Sequence, residues 1–244
     1  MKRLASLILA VMLLLPQAAS AADLLVAQAA NFMPAMKEII PAFEKQTGLT
    51  VQATYASTGK LYGQIVNGAP FDLFLAADQR RPAKLFKDGL AAEPFVYAKG
   101  QVVLWTMKKE LCAKPWTEIL KDDSVRKVAI ANTETAPYGT SAMKALQTEG
   151  LWDSLQSRLV YGQSIAQVFQ FASTGAADAG LCAFSSVFTD QGRKGAYVVV
   201  DKAPEVIQAA CVLKNAPHAE AVAKFVDFLN TDEVKAIKSK YGYK

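Results

Sequence analysis

Histidine and cysteine, the side chains that most often hold metals or assist nucleophilic catalysis, are scarce in this sequence. It has one histidine, His218, and three cysteines, Cys112, Cys182 and Cys211, among 244 residues. The cysteines are widely spaced and have no histidine beside them, which argues against a metal centre. One disulfide could form in an oxidising compartment, but the sequence does not determine which pair it would join. Buried free thiols explain Cys182 and Cys211, which lie in apolar stretches, at least as well.

A secreted hydrolase is the enzyme alternative that the single histidine argues against. A nucleophilic Ser57 or Ser141 would need a base within hydrogen-bond reach. His218 lies near the start of a late helix, where a surface or capping position is expected. No G-x-S-x-G motif is present, and the acidic pair Asp122-Asp123 is typical of helix starts. We therefore predict that the chain is not an enzyme and has neither catalytic residues nor a cofactor.

Clusters of positive charge are also missing. The formal net charge is +5, and the basic pairs Lys108-Lys109, Arg80-Arg81 and Arg193-Lys194 are scattered along the chain. A nucleic-acid interface needs lysines and arginines gathered on one face. We interpret each pair as solvated surface charge and expect no nucleic-acid partner. A ligand-sensing domain of a transcription regulator is disfavoured because no DNA-binding segment is present.

After residue 21 the sequence contains no apolar run long enough to span a membrane. Within residues 1–21, an apolar run from Leu4 to Leu15 follows Lys2 and Arg3 and precedes the small residues 19–21. A basic start, a short apolar run and an A-x-A site are typical of a secretory signal. The run is shorter than the ~20 residues that cross a bilayer. We predict a signal peptide over residues 1–21, cleaved near Ala21, and a periplasmic mature protein.

The remaining chain alternates short apolar runs with stretches of helical period, which predicts an α/β fold. The pattern restarts after Gly100 without a flexible linker. We therefore predict two lobes, 22–98 with 206–244 and 99–205, each a mainly parallel sheet flanked by helices, with a ligand in the cleft between them. The predicted strands are 24–27, 50–55, 73–76, 102–106, 128–131, 159–161, 179–181 and 206–213, and the predicted helices are 34–46, 61–66, 78–87, 139–148, 165–173, 185–189, 219–229 and 231–240.

Four strand-to-helix loops are the candidate ligand site, because helix N-termini at the carboxyl ends of strands present free N–H groups. The loops are 29–34, 56–60, 136–141 and 162–165. Their hydroxyls, backbone N–H groups and one phenol are neutral donors that suit a fully ionised oxyanion. Ordinary helix capping explains each loop taken alone, with Asn31 as an N-cap of the first predicted helix. Asp78 is likewise interpreted as an N-cap, and Lys60 as a solvated lysine.

These loops belong to a set of motifs that runs through nearly the whole mature chain. With them, the sequence resembles the periplasmic molybdate-binding proteins of ABC transporters, which are type II periplasmic solute-binding proteins. The motifs are AANF at 29–32, STGK at 57–60, GAPFDLFLAADQ at 68–79, APYG at 136–139, GQSIAQVFQF at 162–171 and KSKYGY at 238–243.

The resemblance implies a site, a ligand and partners. By likeness to the family, the anion contacts fall on Asn31, on Thr58 with Ser57 adjacent, on Tyr138 and on the backbone of Ile165. The implied function is capture of molybdate or tungstate and delivery to the membrane permease of an ABC importer, without chemistry. Another tetrahedral oxyanion, sulfate or phosphate, is the alternative ligand. We further expect the binding protein to be a monomer.

Overall fold

A computed structural model describes residues 22–214 and 216–244 of the chain. These residues confirm the predicted two-lobed α/β fold class, since they form two five-stranded sheets with flanking helices. The predicted signal peptide, residues 1–21, lies outside the described residues. Among the helices of the described ranges, none is long and apolar enough to cross a bilayer.

The first sheet has the strand order β2-β1-β3-β10-β4 and the second has the order β7-β6-β8-β5-β9. The strands are β1 (Leu24–Ala29), β2 (Val51–Ala56), β3 (Leu73–Leu75), β4 (Phe95–Gly100), β5 (Val102–Thr106), β6 (Val128–Ala131), β7 (Leu159–Gly162), β8 (Ala179–Ala183), β9 (Ala196–Val199) and β10 (Val206–Val212). The α-helices are α1 (Met33–Thr47), α2 (Thr58–Val66), α3 (Arg80–Lys87), α4 (Trp116–Lys121), α5 (Pro137–Thr148), α6 (Trp152–Leu155), α7 (Ile165–Ser173), α8 (Ala219–Leu229) and α9 (Asp232–Lys240).

The sheets are mixed, whereas the sequence predicted mainly parallel ones. In the first sheet β1 pairs in parallel with β2 and β3, but β10 runs antiparallel to β3 and β4. In the second sheet β6 has the two parallel partners and β5 the two antiparallel ones. The reason is that β5 and β10 enter their sheets directly from the other lobe. They do not arrive through the crossover helix that a parallel neighbour requires.

Two strands that the sequence did not predict, β4 and β9, each lie at one edge of their sheet. Several of their side chains are exposed, among them Val96 (49%) and Tyr197 (40%). These two strands therefore lack the continuous apolar run by which buried strands are identified. By contrast, the predicted bounds of β5, β6, α7 and α8 coincide with those in the structure. The predicted helix 185–189 is a 3₁₀ helix over Phe184–Phe188.

Each lobe has its own apolar core. The C-terminal helices pack on the first lobe, where the ring of Phe225 lies edge-on to Phe43 with 4.9 Å between ring centroids. The chain crosses between the sheets at Gln101, between β4 and β5, and returns between β9 and β10. The carboxyl ends of β1, β2 and β3 in the first sheet and of β6 and β7 in the second lead into loops that line one cleft between the sheets.

Candidate functional site

A small, tight cavity lies in the cleft, where strand ends and helix starts from both lobes meet. The cavity brings together all of the predicted site residues. Its lining consists of Ala29, Ala30, Asn31, Ala56, Ser57, Thr58, Ala77, Ala136, Pro137, Tyr138 and Ile165.

The cavity lining carries polar groups but no formally charged side chain. Asn31, Ser57, Thr58 and Tyr138 are each at most 4% exposed. Three helices, α2, α5 and α7, begin at the cavity. The N–H groups of a first helical turn have no partner within the helix, although Pro137, the first residue of α5, has no N–H. The positive ends of the helix dipoles therefore point at the cavity. Such a site favours a negatively charged acceptor without requiring a countercharge in contact with it.

Ser57 is the N-cap residue of α2, yet its hydroxyl makes no capping hydrogen bond. Its Oγ atom is buried and has no hydrogen-bond partner in the described protein. An unpartnered buried hydroxyl costs ~1–3 kcal/mol unless a ligand supplies the partner. Ser57 is therefore positioned to donate to an acceptor inside the cavity.

The hydroxyl of Thr58 connects the second loop to the end of β3. Its Oγ1 accepts a hydrogen bond from the backbone N–H of Ala77 at 3.0 Å. A hydroxyl that accepts in this way keeps its own hydrogen for donation. Thr58 is thus held in place by the protein while it remains a donor for a ligand.

Tyr138 extends from the second lobe into the first. It lies in the first turn of α5, directly after Pro137, which suits a helix start. Its phenol oxygen lies 3.4 Å from Nε2 of Gln208 on β10 and fits against Gly100, where an added Cβ atom would overlap it. Burial raises the pKa of Tyr138 well above its usual value, so the phenol stays a neutral donor.

Asn31 is not the helix N-cap that the sequence predicted. It lies inside a short 3₁₀ helix, Ala30–Phe32, and α1 begins after it at Met33. Its Nδ2 donates to Oε1 of Gln208 at 2.7 Å and to the phenol oxygen of Tyr243 at 3.1 Å, and its Oδ1 is buried without a partner in the described protein. The capping prediction is wrong because these distant side chains engage the amide.

Ile165 is the first residue of α7 and follows the N-cap Ser164. The hydroxyl of Ser164 accepts from the N–H of Gln167 at 3.4 Å, so this loop is capped by its own side chain. At the first helical position the N–H of Ile165 has no acceptor within the helix. Ile165, which is 5% exposed, brings a helix N-terminus of the second lobe to the cavity.

Sequence reasoning missed a group of buried polar residues behind the cavity. We call them the inter-lobe polar cluster, and they are Gln28, Tyr97, Ser185, Gln208 and Tyr243. Ser185 and Tyr243 both donate to the backbone carbonyl of Asn31, at 2.8 and 2.7 Å. The signal that could have identified part of the cluster is a glutamine inside each of two apolar strands, LLVAQA and VIQAACV.

The two lobes also contact each other beside the cavity. The N–H of Gly59 donates to the carbonyl of Thr135 at 2.8 Å. Arg81 pairs with Asp78 and donates through Nη2 to the carbonyl of Glu134 at 2.7 Å. The interpretation of Arg81 as solvated surface charge is therefore wrong, because its guanidinium bridges the lobes.

Asp78 and Lys60 are the charged side chains that the sequence placed near the loops. Asp78 is not the N-cap that the sequence predicted, because α3 begins at Arg80 and its N-cap is Gln79. The Asp78 carboxylate, one residue earlier, accepts from the backbone N–H of Arg81 at 2.9 Å. Lys60 is exposed. Neither residue lines the cavity.

Ser141 and His218, which the hydrolase alternative would use, make their contacts outside the cavity. Ser141 donates to the carbonyl of Pro204 at 2.6 Å, and His218 Nδ1 lies 3.0 Å from Oδ2 of Asp72 in the first lobe. No group of three metal-ligating side chains occurs in residues 22–214 and 216–244. The three cysteines are free thiols, and burial raises the pKa of Cys211 to about 12.

Comparison with known proteins gives consistent matches over nearly the whole chain. The family model described as bacterial extracellular solute-binding protein matches residues 24–244. The molybdate-binding protein ModA of Azotobacter vinelandii is 41% identical over 235 residues, covering 94% of this chain and 93% of the relative. The molybdate-binding protein ModA of Rhodobacter capsulatus is 38% identical over 227 residues, covering 92% and 89%.

Solved structures agree with the sequence comparison. The Azotobacter vinelandii periplasmic molybdate-binding protein has a TM-score of 0.86 at 32% identity, covering 91% of this chain and 98% of that chain. The sulfate-binding protein SubI from Mycobacterium tuberculosis H37Rv has a TM-score of 0.73 at 15% identity, covering 91% and 86%. The second likeness concerns the fold alone.

Proposed function

The chain belongs to the family of bacterial extracellular solute-binding proteins, and we propose that it captures a molybdate or tungstate dianion between its lobes for an ABC importer. The observation that carries the proposal is the buried, uncharged cavity in which the Ser57 hydroxyl has no protein partner. The two relatives named as molybdate-binding proteins, at 41% and 38% identity, support the choice of anion.

The donors around the cavity suit a fully ionised tetrahedral anion. Every oxygen of such an anion accepts hydrogen bonds, and the hydroxyls of Ser57, Thr58 and Tyr138 can donate to it. The starts of α2, α5 and α7 add backbone N–H groups and the positive ends of helix dipoles. No carboxylate lines the cavity, so no negatively charged side chain there repels a dianion.

The cellular role that we propose follows from the family. Its members are extracellular, which is consistent with the predicted signal peptide over residues 1–21. In this role the mature protein works as a monomer outside the cytoplasm and delivers the anion to a membrane permease. It needs neither a cofactor nor a catalytic residue, because binding and release involve no chemistry.

Titration calorimetry on ligand-stripped protein at constant ionic strength tests the choice of anion. Molybdate and tungstate should bind with similar affinity, and sulfate should bind ~10²-fold more weakly. The smaller anion fails to reach some donors, and each buried donor left unpaired costs ~1–3 kcal/mol. Phosphate should bind most weakly, because its proton would face another donor. Sulfate or phosphate binding as tightly as molybdate would overturn the assignment of the anion while leaving the solute-binding class intact.

Two single variants test whether neutral donors hold the anion. Ser57→Ala should weaken molybdate binding by roughly tenfold or more, because it removes a buried donor that has no other partner. Lys60→Ala is the control, since this exposed lysine neighbours the same loop but does not line the cavity. It should change the affinity by less than about threefold. A larger loss for the lysine variant than for the serine variant would contradict the neutral-site argument.

A further inference from the structure

Gln208 is a buried polar residue in the middle of an otherwise apolar strand. It is 0% exposed and stands in the sequence VIQAACV of β10. A buried amide is costly unless its donors and acceptors are paired. The position of its hydrogen-bond partners therefore indicates what the side chain does.

Both ends of the Gln208 amide are engaged, and two of its partners line the cavity. Oε1 accepts from Nδ2 of Asn31 at 2.7 Å and from the phenol of Tyr97 at 3.2 Å. Nε2 faces the phenol oxygen of Tyr138 at 3.4 Å. Asn31 comes from the first lobe and Tyr138 from the second, whereas Gln208 does not line the cavity. One amide thus joins two cavity residues from opposite lobes.

The polarity of this amide determines how Tyr138 uses its hydroxyl. In the structure the Oε1 end accepts from Asn31 and Tyr97, and the Nε2 end faces Tyr138. Tyr138 then accepts from Gln208, and its own hydrogen is directed to another acceptor. An oxyanion in the cavity provides that acceptor. Reversing the amide would make Tyr138 donate to the protein and would remove one donor from the ligand.

We propose that Gln208 is a positioning residue that directs the Tyr138 hydroxyl hydrogen toward the anion and couples the two lobes through Asn31. The identity of the anion rests on the proposed function, whereas the orientation of the hydroxyl rests on the contacts of Gln208. Because Tyr138 reaches Gln208 only when the lobes are together, anion capture and lobe closure support each other. This is how a supporting residue pre-organises a binding site without touching the ligand.

The variant Gln208→Glu tests the direction of the hydrogen bond. When protonated, the new carboxyl can still donate to Tyr138. When ionised, it can only accept, so Tyr138 turns its hydrogen away from the anion and a negative charge lies nearby. Burial raises the pKa of such a carboxyl toward neutral pH. Molybdate affinity of the variant should therefore fall at least ~10-fold between pH 6 and pH 9, whereas the affinity of the unmodified protein stays constant because no lining side chain titrates there.

Gln208→Met is the matched control, because it has similar volume but makes no hydrogen bonds. It should weaken binding ~10-fold with no dependence on pH. A pH-independent loss in Gln208→Glu equal to that in Gln208→Met would overturn the positioning role. If the unmodified protein binds neither molybdate nor tungstate, the proposed function is wrong, and this result does not depend on the Gln208 variants.

A double-mutant cycle keeps the proposal testable if Gln208→Glu does not fold. If Gln208 acts through Tyr138, the ~10-fold loss caused by Gln208→Met should shrink to less than about threefold in a Tyr138→Phe background. Fully additive losses would show that the two residues act independently and would overturn the proposal. Thermal unfolding of each variant, monitored by circular dichroism, identifies the samples that are folded.

Discussion

Replacing Gly100 by alanine should weaken molybdate binding by ~100-fold or more, although this residue does not line the cavity. An added Cβ atom would overlap the phenol oxygen of Tyr138 and would lie 2.9 Å from Nε2 of Gln208. Gly100 lies at the end of β4, which is paired with β10 at Val206, so its backbone cannot move away freely. The phenol would have to leave, and the site would lose both its donor and its link between the lobes.

Calorimetry measures this loss, and Gly63→Ala is the matched control. Gly63 lies in α2, and a Cβ atom there would have nothing within 4 Å. Alanine is favoured over glycine in a helix, so the control should bind normally and be slightly more stable. A folded Gly100→Ala variant that binds within threefold of the unmodified protein would contradict the role assigned to the Tyr138 phenol.

Gly59→Ala should weaken molybdate binding ~10-fold to 100-fold by opposing lobe closure. An added Cβ atom at Gly59 would lie 2.9 Å from Cα of Thr135 and 3.0 Å from Nη2 of Arg81, both across or beside the contact between the lobes. The same glycine donates to the carbonyl of Thr135 at 2.8 Å. The new methyl group would act as a wedge between the lobes, while the groups that face the anion stay the same.

Small-angle scattering distinguishes a closure effect from a loss of contacts with the anion. An anion that binds the closed state more tightly shifts the population toward closure. The unmodified protein should therefore show a smaller radius of gyration with molybdate than without it. At a subsaturating molybdate concentration that closes the unmodified protein, Gly59→Ala should keep the larger radius. If the variant is as compact as the unmodified protein but still binds more weakly, the wedge explanation is wrong.

Features with a local cause were predictable from the sequence. The two-lobed α/β class follows from hydrophobic periodicity, since buried strands are short apolar runs and helices bury one face. The candidate loops follow from helix-start chemistry, as at Ser57, which is the N-cap of α2, and at Tyr138 after Pro137. Each of these features depends on residues within a few positions of one another, so the pattern that predicts it lies within one short segment of the sequence.

The contacts that the loops make with distant residues were decided by the tertiary structure. Asn31 failed as a predicted N-cap because Gln208, 177 positions away, engages its amide. Arg81 was interpreted as surface charge because its acceptor, the carbonyl of Glu134, belongs to the other lobe. Likewise, the need for glycine at position 100 arises from the Tyr138 phenol. Hydrogen bonds and steric contacts between distant segments leave no periodic pattern in the sequence, so they become visible only when the two lobes come together.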